Sequence, residues 1–171
     1  VTRWMRGVDN IKFNPSHRNN FLRHRFGAPE KIIVGFVGRL AREKQVERLA
    51  EVAMMKSVSV VVVGDGPCRE KLERLMPDAH FTGFATGNEL SQLYASFDVF
   101  AHTGVDETFC QSVQEALASG VPVIAPAIGG PLDLVQHGHN GFLWSPQRND
   151  TLFESVNEIV TNHAVRETCA K

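Results

Sequence analysis

The stretch KIIVGFVGRLAREKQVERLAEVAMMKSVSVVVVGDGP, residues 31–67, decides the fold. Its two apolar runs, 31–37 and 58–63, are short and rich in β-branched residues, which predicts two buried strands. The segment Lys44–Lys56 between them predicts a helix. Strand, helix and a second fully apolar strand in succession indicate a parallel pair joined by a helix, because such strands are covered on both faces.

The same alternation continues to the end of the chain. We predict further strands and helices, with strands at Ala79–Thr82, Val99–Ala101, Val121–Ala125 and Phe142–Trp144, and helices at Pro67–Met76, Asn88–Ser96, Phe109–Ala118, Pro131–His137 and Thr151–Asn162. The pattern predicts an α/β fold with a doubly wound, Rossmann-like parallel sheet. We assign residues 1–30 to a lead-in segment and residues 31–171 to one domain.

The composition excludes several classes of protein. The 171 residues are 43% hydrophobic and 22% charged, as expected for one ordinary soluble domain. A net charge of -1 disfavours binding to nucleic acid. The longest apolar run, 58–63, is too short to cross a membrane. Three widely spaced cysteines, Cys68, Cys110 and Cys169, show no disulfide framework and no metal-type spacing, which is typical of a reduced, cytoplasmic chain.

Two glutamates surround the start of the fourth predicted helix. Glu107 lies in the loop before it and Glu115 about two turns inside it. Between them we expect the free NH groups of the first turn, from Thr108, Phe109 and Cys110, which attract phosphate. Carboxylates on both sides of a phosphate suit a sugar nucleotide, which carries hydroxyls at both ends. Alternatively, Glu107 complements the helix dipole and Glu115 is a solvated surface residue.

Two cations follow the first strand, Arg39 and Lys44. Ligands of doubly wound sheets bind at the carboxyl ends of the strands, so this pair and the two glutamates are expected at one edge. Two fixed cations could neutralise a diphosphate in place of a divalent metal. A solvated helix start with incidental charges is the alternative.

Other motifs receive ordinary interpretations. Gly64-Asp65-Gly66-Pro67 resembles a dinucleotide fingerprint, but Arg69 replaces the third small residue, so NAD binding is disfavoured and the glycines are assigned to a tight turn. His102, just before the loop that holds Glu107, is more typical of a structural hydrogen-bonding residue than of a catalytic one. His137 and His139 lack a third ligand, so we predict no metal site.

Several separated motifs together resemble the C-terminal domain of retaining GT-B glycosyltransferases of family four. The resemblance covers about residues 6–146 and rests on Arg39 with Lys44, Gly64-Asp65-Gly66-Pro67, Phe81-Thr82-Gly83-Phe84, Glu107-Thr108-Phe109 and Glu115 to Ala125. Within that family, residues 107–115 and 125–135 look most like actinobacterial GDP-mannose-dependent α-mannosyltransferases. One departure is Cys110, which stands where the family usually has glycine. A positive φ at this position would strain a cysteine.

The resemblance implies roles for individual residues. Glu107 would bind hydroxyls of the donor sugar and Glu115 those of the ribose. Arg39 and Lys44 would hold the diphosphate and stabilise the charge that develops on it, so that Glu107, Arg39 and Lys44 form the catalytic group. NH groups at Thr108, Phe109 and Cys110 would add to the phosphate site, and the loop at Gly83, Phe84 and Ala85 would lie against the base.

The resemblance also implies an activity and a setting. Transfer would retain the sugar configuration, without a metal or another cofactor and without a protein nucleophile, from GDP-mannose to a lipid-linked acceptor. The acceptor would bind an N-terminal half that this chain lacks, so we expect the chain alone to be inactive. A cytoplasmic enzyme at the inner membrane face, with peripheral association, fits this setting. A UDP-sugar-dependent transferase, a noncatalytic nucleotide-binding module and a dinucleotide oxidoreductase are the alternatives.

Overall fold

A computed structural model describes residues 7–147 and 152–162. Its centre is a parallel sheet of six strands in the order β3-β2-β1-β4-β5-β6. The strands are β1 Ile32–Val37, β2 Val58–Val63, β3 His80–Gly83, β4 Val99–Ala101, β5 Val123–Pro126 and β6 Gly141–Trp144. This confirms the predicted doubly wound sheet, and every strand lies within about two residues of its predicted position.

Six α-helices and four short 3₁₀ turns connect and cover the strands in the described part of the chain. The helices are α1 Asn20–Arg25, α2 Ala50–Ala53, α3 Arg69–Leu75, α4 Gly87–Ser96, α5 Gln111–Ala118 and α6 Leu152–Thr161. The 3₁₀ turns are Pro15–His17, Arg42–Lys44, Val46–Leu49 and Gly130–Asp133. Thr151, the predicted start of the last helix, lies outside the described residues. None of the described helices is long and apolar enough to cross a membrane.

Each face of the sheet has its own hydrophobic core. Alternate residues of β2 point to opposite faces, because side chains along a strand alternate. Val60 and Val62 pack with Leu72 of α3 and Ile159 of α6. Val61 and Val63 belong to a second cluster, on the face covered by α4 and α5. Both faces of β2 are therefore buried, which explains why this strand consists almost entirely of valine.

The predicted helix Lys44–Lys56 is wrong for most of its length. Only Ala50–Ala53 is α-helical, and two 3₁₀ turns precede it, separated by Gln45 in the left-handed conformation with φ +48°. The carbonyl of Lys44 accepts a hydrogen bond from the Thr103 hydroxyl. This tertiary contact replaces a helical bond, which is why a pattern of helix-forming residues does not form one continuous helix.

The predicted helix Pro131–His137 is also wrong beyond its first turn. A 3₁₀ turn at Gly130–Asp133 takes its place. The amide of Asn140 donates to the carbonyl of Leu134 at 3.0 Å and accepts from the N–H of Gln136 at 2.8 Å. Both backbone groups are thereby removed from helical hydrogen bonding, so the chain turns back toward β6.

The segment assigned as a lead-in packs closely on the sheet where it is described. Phe13 and Phe26 are 3% and 2% exposed, and both belong to the core on the α4 face. The side chains of Arg18 and Arg23 form ion pairs with Asp98, which immediately precedes β4. Residues 7–30 therefore pack against one end of the sheet. The domain boundary at residue 30 stays a prediction.

Candidate functional site

The strand order reverses between β1 and β4, and the loops leaving these two strands carry the predicted charged residues. Consecutive connections leave the two strands in opposite directions at such a point, which opens a crevice at their carboxyl ends. Arg39 and Lys44 follow β1, and Glu107 follows β4. The shared edge that was predicted for these three residues therefore exists.

Lys44 and Glu107 meet directly across this crevice. The ammonium of Lys44 donates a hydrogen bond to Oε1 of Glu107, although 63 positions separate the two residues in the chain. Their side chains are 27% and 19% exposed, so the ion pair is only partly screened by water. The hydroxyl of Thr103 fixes the backbone of Lys44 by its hydrogen bond to the Lys44 carbonyl. Arg39 is exposed and forms no ion pair among the described residues.

Two glycines support the loop that carries Glu107. The N–H of Gly130 donates to the carbonyl of Glu107 at 2.9 Å. A Cβ atom at Gly130 would lie 2.5 Å from the carbonyl oxygen of Thr108, and one at Gly129 would lie 2.9 Å from that of Glu107. Only glycine fits this close backbone approach, which fixes the path of the loop.

Cys110 separates that loop from α5. It is buried, it has φ +45° and ψ +50°, and it is the residue that precedes the first helical residue, Gln111. A left-handed residue cannot continue a right-handed helix, so α5 begins two residues later than predicted. The free first-turn NH groups are consequently those of Gln111 and Ser112, and not those of Thr108 and Phe109.

The left-handed conformation confirms the concern about cysteine at this position. The backbone adopts a positive φ there, which glycine tolerates and other residues adopt at a cost. Burial raises the pKa of the Cys110 thiol to about 11, with a further contribution from the charge of Glu107. The thiol is therefore neutral at physiological pH and acts as a packing group against Gly130.

A cavity of about 500 Å³ lies beside Arg39 at the same sheet edge. Its walls come from the loops after β1, β2 and β3 and from α4, and the lining residues are Val37, Gly38, Arg39, Val63, Gly64, Asp65, Phe84, Ala85 and Leu90. The lining is mostly apolar, and Phe84 is 79% exposed at its rim. Gly83, with φ +81°, turns the chain from β3 toward this rim. The cavity has the size and character of a site for a planar ring.

The glycines after β2, assigned to a tight turn, also bring two loops together. A Cβ atom at Gly64 would lie 2.0 Å from the carbonyl oxygen of Gly38, and one at Gly66 would lie 2.4 Å from that of Leu40. These glycines allow the loops after β1 and β2 to touch, which closes one wall of the cavity. The close approach between backbones excludes a side chain here, and the positive φ of Gly64, +131°, also favours glycine.

Glu115 lies apart from the ion pair. Because α5 begins at Gln111, Glu115 is only slightly more than one turn inside the helix. Burial raises the pKa of its carboxyl group, while the side chains of Tyr94 and Gln111 and the charge of Lys12 oppose that shift. The buried Tyr94 hydroxyl lies near this carboxylate without a hydrogen bond of normal geometry. Glu115 does not line the cavity beside Arg39.

His102 is the first residue after β4 and is 4% exposed. Its backbone N–H donates to the carbonyl of Ile124 at 2.7 Å, which continues the sheet. Burial lowers the pKa of its imidazole to about 4, with the charge of Glu107 opposing that shift and the charge of Lys44 adding to it. Within the described residues its Nε2 atom is buried and has no hydrogen-bond partner.

The residues that sequence analysis missed are those that act through other residues. Thr103, Gly129 and Gly130 hold Lys44 and Glu107 in place, yet no local pattern identifies them before the fold is known. No group of three or more metal-ligating side chains occurs in residues 7–147 and 152–162.

Comparisons with known proteins agree with this geometry. The family model described as "Glycosyl transferases group 1" matches residues 19–171. A GDP-mannose-dependent alpha-mannosyltransferase of Mycobacterium tuberculosis is 57% identical over 143 residues, which cover 84% of this chain and 38% of that protein. One of the same description from Corynebacterium glutamicum is 46% identical over 172 residues, 99% of this chain and 42% of that protein.

A solved structure gives the same result for the fold. The crystal structure of Anabaena HepE in complex with UDP-glucose superposes with a TM-score of 0.83 at 29% identity, over 96% of this chain and 49% of that one. The resemblance inferred from the motifs is confirmed by these matches. The chain spans about two fifths of the length of the two curated relatives.

Proposed function

The chain belongs to the family of group 1 glycosyl transferases, and on that premise we propose that it is the donor-binding part of a retaining α-mannosyltransferase that uses GDP-mannose. The observation that carries the proposal is the meeting of Lys44 and Glu107 at the switch point of the sheet, beside an apolar cavity. A cation, a carboxylate and a ring-sized cavity at one edge match the phosphate, sugar and base of a nucleotide sugar. The 46–57% identical relatives named as GDP-mannose-dependent support the choice of donor.

Arg39 and Lys44 would bind the diphosphate. Arg39 is exposed at the rim of the cavity and has no competing ion pair in the described region, so it is free to receive an anion. Lys44 would exchange part of its interaction with Glu107 for a phosphate oxygen. Both cations would stabilise the negative charge that grows on the diphosphate as the sugar leaves, which lowers the barrier for transfer.

Backbone groups would complete the phosphate site. The first turn of α5 points unpaired N–H groups of Gln111 and Ser112 away from the helix. Thr108, Phe109 and Cys110 lie just before them in the loop, and their N–H groups belong to the same proposed site. The positive end of the helix dipole adds to the attraction for an anion here.

The base and ribose would occupy the cavity and its border. Gly83, Phe84 and Ala85 would lie against the base, and the exposed ring of Phe84 can stack on it. Glu115 would accept hydrogen bonds from the ribose hydroxyls. Its raised carboxyl pKa and partial burial favour a ligand that supplies neutral hydrogen-bond donors over one that supplies another anion.

Glu107 would orient the transferred sugar. Its carboxylate is held by Lys44 and its backbone carbonyl by the N–H of Gly130, so the side chain can accept hydrogen bonds from sugar hydroxyls in a fixed direction. We assign it no covalent role, and transfer on the front face with retention needs no protein nucleophile. Isolation of a glycosyl adduct on Glu107 would contradict this assignment.

A second candidate donor is a UDP-sugar. The superposable HepE structures hold UDP or UDP-glucose, and the mostly apolar lining of the cavity would not by itself select guanine over uracil. A noncatalytic nucleotide-binding module is a third candidate. It would bind GDP in the same place and show no transfer even when joined to the rest of a longer protein.

The acceptor belongs to the longer protein. We propose a lipid-linked acceptor, bound by an N-terminal half that this chain lacks, on an enzyme that works in the cytoplasm at the inner membrane face. The chain by itself should bind the donor and transfer nothing, because we place the acceptor site and the closing surface outside it. Mannosyl transfer by this chain alone would contradict that division.

Calorimetry with GDP, UDP and ADP tests the proposed donor. We expect GDP to bind most tightly and without added metal, and Arg39→Ala and Glu115→Ala to weaken it about tenfold each. Arg42→Ala, a neighbouring exposed cation outside the apolar cavity, is the matched control and should change little. Tighter binding of UDP would support the UDP-sugar candidate, and no nucleotide binding would contradict the proposed function as a whole.

A further inference from the structure

The end of β4 holds one polar group that the proposed mechanism does not use, the imidazole of His102. It is 4% exposed, and its Nε2 atom has no hydrogen-bond partner within the described residues. Buried polar atoms in native proteins are nearly always paired, so an orphaned one calls for an explanation. The ring lies where the charges of Glu107 and Lys44 both act on it.

The segment His102-Thr103-Gly104 supports that ion pair from below. Thr103 binds the carbonyl of Lys44, and a Cβ atom at Gly104 would lie 3.6 Å from Oε1 of Glu107 and 3.3 Å from the carbonyl oxygen of Glu43. Thr103 and Gly104 are therefore packed against the two loops that carry the pair, and His102 immediately precedes them. Among the described residues, the Nε2 atom of His102 is buried without a hydrogen-bond partner.

We propose that His102 is a positioning residue, whose Nε2–H holds the Glu107 carboxylate when a donor diphosphate draws Lys44 away. The inference rests on the proposed function, because it needs an anion that competes for Lys44. Among the described residues Lys44 is the side-chain partner of Glu107, and a carboxylate that is 19% exposed is left without a side-chain donor when Lys44 moves away. A carboxylate only accepts hydrogen bonds, so the replacement must be a donor.

A neutral imidazole suits this task better than a charged group. With its pKa near 4, the ring carries a single proton at physiological pH and can donate from Nε2 without adding a positive charge. A second cation beside Glu107 would instead neutralise the charge of the carboxylate. A neutral donor fixes the orientation of the carboxylate and leaves its charge available to the sugar.

The first experiment needs no nucleotide. NMR of the imidazole nitrogens in the unliganded chain should show His102 as the Nε2–H tautomer, with its resonances assigned by their loss in His102→Gln. Replacing Lys44 by Met should raise the pKa of His102 by about one unit, because a cation is removed and the carboxylate is released to the ring. Glu107→Gln should lower it. The half-buried His80 on β3 is the control and should not respond.

The second experiment adds GDP-mannose. Saturation should move the His102 Nε2–H proton downfield, and His102→Leu should weaken GDP-mannose binding about tenfold, while His102→Gln, which keeps an N–H group, should stay within about twofold of the parent. Equal loss of affinity in both variants, or an Nδ1–H tautomer, would overturn the inference. A signal unmoved by bound donor would do the same.

The two experiments separate the inference from the function on which it rests. If the pKa of His102 follows Lys44 and Glu107 as described but GDP-mannose does not bind, the proposed donor is wrong and the link from His102 to Glu107 stands. If GDP-mannose binds and the pKa of His102 is the same in both variants, the proposed function stands and the role of His102 is wrong.

Discussion

An acidic residue precedes strand β4 and another lies in the loop that follows it, and the two carboxylates differ in their number of hydrogen-bond partners. Asp98, at the amino end, is ion-paired with Arg18 at 3.1 Å and Arg23 at 2.9 Å and accepts from the N–H of Ile33 at 2.9 Å. Glu107, beyond the carboxyl end, has only Lys44 as a side-chain partner among the described residues.

The groups around the two carboxylates also differ in how fully their hydrogen bonds are satisfied. Asp98 receives hydrogen bonds from two arginines and one backbone N–H, which ties the lead-in segment to the domain. Around Glu107 lie an imidazole whose Nε2 atom has no hydrogen-bond partner in the described part of the chain, a cysteine in the left-handed conformation and the exposed ring of Phe109. A fully satisfied cluster stabilises the fold, whereas unsatisfied and strained groups persist where a ligand completes them. We therefore expect the amino edge to serve stability and the carboxyl edge to serve binding.

The largest expected effect is at the amino edge. Asp98→Ala leaves Arg18 and Arg23 without their carboxylate, and we expect it to lower the free energy of unfolding by about 4 kcal/mol. Chemical denaturation measures this change. Asp106→Ala, an exposed carboxylate near the other edge, is the control and should change stability by less than about 0.5 kcal/mol. Equal effects of the two substitutions would remove the distinction between the edges.

The carboxyl edge should instead make stability depend on pH. His102 takes up a proton near pH 6.5 when unfolded and near pH 4 when folded, so the unfolded chain binds more protons between these values. The contribution of His102 is therefore fully present above pH 6.5 and is lost as the pH falls toward 4. We expect about 3 kcal/mol of loss, since one pH unit corresponds to about 1.4 kcal/mol.

Denaturation of the parent chain and of His102→Gln at pH 7, 5.5 and 4 checks that dependence. The difference in unfolding free energy between the two chains should change by most of that amount across the range. A difference that is constant with pH would mean that the imidazole titrates alike in both states.

Lys44 should matter for binding more than for folding. We expect Lys44→Met to weaken GDP binding about 30-fold, which is about 2 kcal/mol, because a charged contact to phosphate is lost. Its partner Glu107 is partly exposed, so the unfolding free energy should change by no more than about 1 kcal/mol. Calorimetry and denaturation on one preparation measure both, with Lys71→Met on α3 as the control. A larger loss of stability than of affinity would make the ion pair a structural feature.

The smallest effect concerns the strained residue at the start of α5. Cys110→Gly and Cys110→Ala both remove the buried thiol, but only glycine adopts a positive φ without penalty. The glycine variant should therefore be more stable than the alanine variant by about 1 kcal/mol. Thermal denaturation of the pair tests this. If the alanine variant is the more stable one, the left-handed conformation carries no strain at this position.

The strands could be predicted because apolar β-branched runs report burial directly. The shared edge of Arg39, Lys44 and Glu107 also followed from the sequence, since carboxyl ends of parallel strands lie together. The direct contact between Lys44 and Glu107 did not follow. It depends on Gln45 ending a 3₁₀ turn and on Thr103 binding the carbonyl of Lys44, and both are consequences of tertiary packing.

The helix starts were misplaced for a related reason. The apolar spacing of residues 109–118 fits a helix from Phe109, but Cys110 takes a left-handed conformation that only the surrounding loops impose. Gly130 occupies the space next to Cys110 and fixes the loop before it. Helical periodicity reports which face is buried and carries no information about a contact 20 residues away.

The division of labour between the two edges can be tested in one titration. Amide resonances of the chain are followed by two-dimensional NMR as GDP-mannose is added. We expect large shifts in residues 38–44, 64–66, 83–85 and 102–112, and none in residues 18–23 or around Asp98. Shifts centred on Asp98 and the lead-in segment, or a saturating titration that leaves Lys44 and Glu107 unmoved, would contradict the account.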